Sequence, residues 1–176
     1  MCGIVGYVGE QNAVPVLISG LQSLEYRGYD SAGVAVLNED KIGIRKTKGK
    51  VANLRNLLLN EPVSGHVGIG HTRWATHGAP SDLNAHPHFS NDDKIAVVHN
   101  GIIENYQELK AELEAKGYIF HSETDTETVA HLIDDYYKQG LDLLESVRRT
   151  LERIEGSYAL GVLCTDYPDQ LIAARK

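Results

Sequence analysis

The sequence predicts an α+β fold in which antiparallel β-sheets are covered by helices. Short apolar segments are joined by tight turns at 31–38 and 41–48, and again at 157–164 and 170–175, which is typical of β-hairpins. Segments with helical spacing occur in pairs beside them. The 176 residues, 42% hydrophobic and 23% charged, are enough for one globular domain with a substantial core.

Apolar periodicity justifies the remaining elements in order. A buried strand is expected at the N-terminus, followed by a helix that Asn12 caps and Gly28 ends. Further strands are expected at 66–73, 94–100 and 118–121, and further helices at 50–60, 106–117, 126–139 and 141–155. Asn100-Gly101 is a turn signal by the local rule, and residues 102–105 after it are interpreted as a helix entry.

Charge and composition argue against several classes of protein. Lys and Arg number 17 against 24 Asp and Glu, and this net charge of −7 disfavours sequence-independent binding of nucleic acid. No apolar run approaches the roughly 20 residues of a membrane span, and no secretory signal precedes Arg27. Two cysteines, Cys2 and Cys164, are too few for a disulfide scaffold. We therefore expect a cytoplasmic protein.

A long loop rich in polar residues indicates where a site lies. Residues 74–93 carry no predicted element, and loops of this length in a compact domain are usually functional or disordered. The overlapping segment 71–88 contains four of the eight histidines, together with Trp74 and Arg73. Because a merely disordered loop seldom holds a tryptophan and so many hydrogen-bond donors, the segment favours a site.

The cysteine at position 2 is the sharpest candidate for chemistry. Removal of Met1 gives Cys2 a free α-amine beside its thiol, with reference pKa values near 8 and 8.5. A neutral amine can take the thiol proton, so that one residue supplies both nucleophile and base. The alternative is a small buried cysteine at the start of a strand, which is also the interpretation of Cys164.

The histidines leave three interpretations open. His86-x-His88, with His71 and His77 nearby, offers imidazoles to a zinc ion, although no CxxC pair or HExxH helix accompanies them. A Cys–His dyad with His71, His77 or His99 as the base is a second possibility. The third is that each imidazole is a hydrogen-bonded structural residue, which we favour for most of them.

Three further polar groups have both a structural and a functional interpretation. Asn100-Gly101 is either a turn or a side-chain amide and backbone N–H that form an oxyanion hole. Arg73, just past a strand, presents a planar fork suited to a carboxylate. Asp125 in SETDTE (122–127) is suited to a helix N-terminus, where a negative charge is stabilising. The functional alternative is that Asp125 is a counter-ion for a substrate ammonium.

Taken together, six motifs resemble one family over essentially the whole chain. They are MCGIVGYVG (1–9), LEYRGYDSAG (24–33), GHTRWATHG (70–78), NAHPH (84–88), HNGIIENY (99–106) and SETDTE (122–127). In this order they resemble the N-terminal glutaminase domain of glutamine–fructose-6-phosphate aminotransferases, a class II glutamine amidotransferase domain. The resemblance implies the N-terminal-nucleophile fold, an αββα sandwich of two antiparallel sheets between helix layers.

The resemblance also implies a role for each matching residue. The nucleophile is Cys2, with its own α-amine as base, and the oxyanion hole is formed by Asn100 and Gly101. The remaining implied roles are Arg73, Thr76 and His77 for the α-carboxylate of glutamine, Asp125 for its ammonium, Trp74 for the gate of an ammonia channel, and Arg27 for a loop near the acceptor domain. No cofactor or metal is implied.

In the family, the released ammonia converts fructose 6-phosphate to glucosamine 6-phosphate in sugar isomerase domains, which are absent from this chain. The resemblance implies that 1–176 is a glutaminase domain incomplete at its C-terminus, from an enzyme that forms homo-oligomers. L-glutamine is the implied partner of the chain itself, with no nucleic acid and no membrane. Two alternatives are a non-catalytic glutamine-binding or regulatory fragment and a metal-dependent hydrolase.

Overall fold

The computed structural model describes residues 2–176, which form eight β-strands and five α-helices. The strands are β1 (Gly3–Val8), β2 (Ser31–Asn38), β3 (Lys41–Lys48), β4 (Val67–Arg73), β5 (His88–Phe89), β6 (Ile95–Ile103), β7 (Gly156–Cys164) and β8 (Ile172–Arg175). The helices are α1 (Ala13–Ser23), α2 (Val51–Asn60), α3 (Tyr106–Ala115), α4 (Asp125–Lys138) and α5 (Leu143–Arg153).

The strands form two four-stranded antiparallel sheets. The first has the order β1-β4-β2-β3 and the second the order β5-β6-β7-β8. Helices α1 and α2 cover the outer face of the first sheet, where Leu17 and Leu54 pack against Val34 and Val36 of β2. Helices α3, α4 and α5 cover the outer face of the second sheet in the same way. The chain is therefore a four-layered αββα sandwich.

The inner faces of the two sheets pack against each other. Because side chains alternate along a strand, Ala35 and Leu37 of β2 point away from the helices that Val34 and Val36 contact. The inner layer is apolar and consists of Ala35, Leu37, Val67 and Ile69 from the first sheet and Ala96, Val98 and Leu163 from the second. This layer sets the distance between β4 and β6, the two strands that lead to the site.

Most of the elements predicted from periodicity are confirmed. The hairpin at 31–38 and 41–48 pairs from Ser31↔Lys48 to Asn38↔Lys41, and β7 and β8 form the second hairpin. Asn12 caps α1, since its side chain accepts a hydrogen bond from the Val14 N–H at 3.2 Å.

Three predictions about elements are wrong. The strand expected to end at Asn100 continues as β6 to Ile103 and pairs with β7 throughout, so there is no turn at Asn100-Gly101. Residues 102 and 103 are therefore strand and not part of a helix entry, whereas Asn105 is the N-cap residue of α3. Residues 118–121 form no strand. The first helix ends at Ser23, and a 3₁₀ turn over Glu25–Arg27 precedes Gly28.

No helix among the described residues 2–176 is long and apolar enough to cross a membrane.

Candidate active site

Cys2 lies where the first sheet meets the loop rich in histidines. It precedes edge strand β1, whose first residue Gly3 pairs with Thr72 near the end of β4. The Trp74 N–H, just past β4, donates to the Cys2 Sγ at 3.1 Å, and the Trp74 carbonyl oxygen lies 3.5 Å from the same sulfur. Within the described residues, these backbone groups are the hydrogen-bond partners of the thiol, so the geometry does not support a Cys–His dyad.

Asn100 and Gly101 lie side by side in β6, which faces this end of the first sheet. Gly101 has a φ of +128°, and a Cβ atom there would lie 2.0 Å from the carbonyl oxygen of Ser157 in β7. Only glycine fits this position, because other residues rarely adopt such a φ and their Cβ would overlap the neighbouring strand. The glycine lets β6 pass through an irregular conformation without leaving the sheet.

Arg73 ends β4 and is almost fully buried. Its guanidinium donates to the carbonyl oxygens of His77, Gly78 and Ala79, with 2.7 Å to that of Gly78. The Nη1 atom also lies 3.8 Å from the Asp30 carboxylate. The segment 74–79 therefore closes on the side chain of the arginine that precedes it.

Asp125 is the first residue of α4 and is buried. Its Oδ2 accepts a hydrogen bond from the Ile103 N–H at 2.8 Å, which joins the start of α4 to the end of β6. The Nδ1 atoms of His77 and His99 lie 4.0 Å and 3.9 Å from its carboxylate oxygens. The carboxylate thus bonds β6 rather than capping its own helix.

The nine residues singled out from the sequence line two adjoining spaces. One is a narrow recess of about 10 Å³, room for a single water molecule, lined by residues that include Cys2, Arg73, Trp74, Thr76, His77, Gly101 and Asp125. The other is an open cleft of about 520 Å³, lined by residues that include Cys2, Arg27, Trp74, Thr76, Asn100 and Gly101. The thiol lies at the junction, since it lines both spaces.

Trp74 borders both the recess and the cleft. Its side chain is 55% exposed, and its ring lies close to Gly28, where an added Cβ would be 3.0 Å from the Trp74 Cζ3. Gly28 has a φ of +74°, so the contact and the conformation both favour glycine there. Arg27, beside this glycine, also lines the cleft.

Four buried histidines, His71, His86, His88 and His99, form a cluster at the recess, and His86 and His99 line it. His86 Nε2 and His99 Nδ1 both lie within hydrogen-bond distance of the Thr126 hydroxyl, at 2.7 and 3.0 Å, and the His71 and His86 rings are 4.2 Å apart. Burial lowers the pKa of His71 to about 3, and it lowers the pKa of His86, His88 and His99 as well. These imidazoles are therefore neutral near pH 7.

The zinc interpretation finds no support in this arrangement. Within residues 2–176, no group of three or more His, Cys, Asp or Glu side chains is placed to hold a metal ion. The imidazole nitrogens that have partners bond to hydroxyl, amide and carbonyl groups instead, as His88 does with the Thr124 hydroxyl at 3.0 Å.

Sequence reasoning did not single out two residues that shape the site. The Asp30 carboxylate accepts a hydrogen bond from the Ala75 N–H and lies near Arg73, so it holds the start of segment 74–79. Lys46, on β3, donates to the carbonyl oxygens of Leu83, Ala85 and Pro87 at 2.7–3.1 Å and holds the segment that carries His86. Asp30 lies inside the motif LEYRGYDSAG, which was the available signal for it.

The comparisons with known proteins define the class. Residues 71–176 match the model of the glutamine amidotransferase domain family, and the chain belongs to this family. A solved glutamine phosphoribosylpyrophosphate amidotransferase from B. subtilis is 28% identical, with a TM-score of 0.83 over 100% of this chain and 37% of that one. The αββα sandwich of the N-terminal-nucleophile amidotransferases is therefore confirmed.

The curated relatives narrow the class to one kind of enzyme. The chain is 60% identical over its whole length to the glutamine–fructose-6-phosphate aminotransferase (isomerizing) of Clostridium perfringens, of which it covers 28%. It is also 60% identical to the protein of the same name from Caldanaerobacter subterraneus subsp. tengcongensis, of which it covers 29%. The chain thus spans less than a third of the length of these relatives, and the resemblance stated from the motifs is confirmed.

Proposed function

We propose that this chain hydrolyses L-glutamine to glutamate and ammonia, with Cys2 as the nucleophile after loss of Met1. The observation that carries the proposal is the convergence of the Cys2 thiol, a buried cation (Arg73) and a buried carboxylate (Asp125) on one recess. Free glutamine is a zwitterion, so a site that selects it needs one fixed charge of each sign beside the nucleophile.

The reaction needs one base and one tetrahedral intermediate for each of its two halves. The α-amine of Cys2 takes the thiol proton, and the thiolate attacks the side-chain amide carbon of glutamine. The intermediate collapses as the amine returns the proton to the leaving nitrogen, which releases ammonia and leaves a γ-glutamyl thioester. Water then attacks the thioester with the same amine as base, giving glutamate and the free thiol.

Charge develops on the amide oxygen in both halves, and β6 supplies the groups to stabilise it. We assign this role to the Asn100 side-chain N–H and the Gly101 backbone N–H, which lie beside Cys2 in the cleft. A donor of this kind is worth about 2.7–4 kcal/mol where it has been measured. The positive φ of Gly101, which glycine adopts without strain, gives β6 an irregular backbone at this residue.

Substrate entry requires segment 74–79 to move, because the recess holds only about 10 Å³. The Arg73 bonds to the carbonyls of residues 77–79 use three of its five N–H groups. Opening of the segment exposes the guanidinium for the α-carboxylate, with Thr76 and His77 beside it, while Asp125 takes the α-ammonium.

We assign the larger cleft, bordered by Trp74 and Arg27, to the departure of ammonia. By analogy with the relatives named above, the ammonia converts fructose 6-phosphate to glucosamine 6-phosphate in isomerase domains that lie outside this chain. On this proposal, residues 1–176 belong to the glutaminase domain of a homo-oligomeric enzyme that needs no cofactor. Its two free cysteines suit a reducing compartment such as the cytoplasm.

The test compares Cys2→Ala with Cys164→Ala. Both replace a free cysteine, but Cys164 is fully buried in β7, within the core of the second sheet. Ammonia release from glutamine should vanish in the first variant and persist in the second, and mass spectrometry should show that Met1 is absent from the active protein. Full activity of Cys2→Ala contradicts the mechanism. Thermal protection by glutamine without any turnover in the unmodified chain supports the glutamine-binding module instead.

A further inference from the structure

His71 makes a contact that determines how the Asn100 amide is oriented. It lies on β4 of the first sheet, two residues after Ile69, and therefore points to the same inner face as that residue. Its fully buried imidazole reaches across to β6 of the second sheet. There its Nε2 lies 2.9 Å from the His99 carbonyl oxygen and 2.8 Å from Asn100 Oδ1.

The chemistry of these partners settles the tautomer. A backbone carbonyl can only accept a hydrogen bond, so the His71 Nε2 must carry the proton that it shares between its two neighbours. Burial lowers the pKa of His71 to about 3, so the ring is neutral and carries no second proton. Its Nδ1 is buried without a hydrogen-bond partner among the described residues, as expected for the unprotonated nitrogen of this tautomer.

It follows that the Asn100 atom facing His71 must be an acceptor. An amide with its oxygen toward the Nε2–H directs its NH₂ group away from His71, and the Asn100 side chain borders the cleft that also contains Cys2. The terminal torsion of asparagine is broad and roughly two-fold, so the side chain alone does not select between the two orientations. The flipped orientation would present an oxygen to the oxyanion and repel it.

We propose that His71 is a positioning residue for the glutaminase reaction, which holds the Asn100 amide with its N–H toward the reacting carbonyl. This inference rests on the proposed function and adds a residue to it. His71 does not act as a base, because its Nε2 already carries a proton and its Nδ1 faces no reacting group. It touches neither the thiol nor the recess, and its effect on the reaction passes through Asn100.

The test uses His71→Gln and His71→Met, which have similar length and differ in the N–H donor. The Met variant should lower kcat for glutamine hydrolysis at least about tenfold with KM changed less than about threefold, since the oxyanion forms only after substrate binds. The Gln variant should recover part of kcat. If the Met variant does not fold, the Gln variant should keep kcat closer to wild type than Asn100→Ala does, and an equal loss of kcat in these two variants would overturn the inference.

His131→Met is the matched control. His131 is also fully buried, with its Nε2 3.1 Å from a carbonyl oxygen, that of Ile119, and with an unpartnered Nδ1, but it lies on α4 away from Cys2 and Asn100. The His131→Met variant should be destabilised to a similar extent as His71→Met, but its kcat should stay at the wild-type value. An equal loss of kcat in both variants would mean that removal of any buried imidazole is responsible, and it would overturn the inference.

A double-mutant cycle with Asn100→Ala distinguishes the positioning role of His71 from the oxyanion-hole role of Asn100, on which it rests. If His71 acts through Asn100, then His71→Met should reduce kcat by less than about threefold further in the Asn100→Ala background. If the kcat of the double variant falls by the product of the two single-variant factors, the two residues act independently and the positioning role is overturned. Full activity of Asn100→Ala alone would instead refute the oxyanion-hole assignment, whatever His71 does.

A binding measurement supplies a readout that a merely structural role would not move. An aldehyde analogue of glutamine, glutamate γ-semialdehyde, adds the Cys2 thiol to form a tetrahedral adduct with an oxygen in the oxyanion position. Its affinity should fall with kcat in His71→Met, whereas the affinity for glutamate, which forms no adduct, should stay the same. Parallel losses for both ligands contradict the proposal.

Discussion

Acidification should destabilise this protein in a pH range set by its buried histidines. Burial lowers the pKa of His71, His86, His88 and His99 below the ordinary value of 6.5, and that of His71 to about 3. At a pH between these values, the unfolded chain binds protons that the folded state refuses. Stability is therefore unaffected above pH 6.5 and is lost progressively as the pH falls below it.

The size of the effect follows from proton linkage. At pH 4.5, two pH units below the unfolded pKa, His71 alone removes about 3 kcal/mol from the free energy of unfolding. His86, His88 and His99 add to this loss in the same direction, because burial lowers their pKa as well. Glu127, whose pKa its hydrogen-bond partners hold at about 2, loses its stabilising effect only as the pH falls below about 4.5.

Urea unfolding between pH 7.5 and pH 5 isolates the histidine contribution, because this interval lies above the ordinary carboxyl range. We expect the free energy of unfolding to fall by at least about 2 kcal/mol, the contribution of His71, and at least about one proton to be taken up on unfolding near pH 5. His71→Phe should reduce the uptake by about one proton, and His86→Phe should reduce it as well. Equal stability at pH 7.5 and pH 5 refutes the reasoning.

Three further predictions concern single positions. Gly101→Ala should destabilise the fold by more than about 3 kcal/mol in urea unfolding, since its Cβ would meet the Ser157 carbonyl at a φ of +128°. Lys46→Met should lower the free energy of unfolding by about 2–4 kcal/mol and expose residues 83–87 to limited proteolysis, because three carbonyls lose their donor. Unchanged stability and cleavage would show that the ammonium does not hold this segment. Asp125→Asn should raise KM for glutamine at least about tenfold with a smaller change in kcat, and an unchanged KM would exclude it as the ammonium partner.

The hairpins were predictable because the information that specifies them is local. Two short segments, the first of them apolar, joined by the two-residue connection Glu39-Asp40, predict the strands Ser31–Asn38 and Lys41–Lys48 and the turn between them. The same local rule failed at Asn100-Gly101. Here the backbone continues as a strand because β7 lies alongside and pairs with it as far as Ile103↔Gly156, and no short window of sequence contains that partner.

The short segment 118–121 failed for a related reason. Its apolar residues suggest a strand, yet the backbone of Ile119 bonds the side chains of Asn91 and His131 rather than a neighbouring strand. Apolar character predicted burial of part of this segment, and its tertiary neighbours decided how the backbone polar groups were satisfied.

By itself, the sequence determined the α+β class, with antiparallel sheets covered by helices, through its periodicity. Motifs that match a known family supplied the αββα sandwich and the residue types of the site. Only the tertiary structure decided how these residues meet. It showed that segment 74–79 closes on Arg73 and that Asp125 accepts a hydrogen bond from the backbone of β6. It also showed that His71 extends from the first sheet to contact Asn100 in the second. The physical reason is that periodicity reports which face of an element is buried, whereas a hydrogen bond between residues distant in sequence depends on how two elements pack.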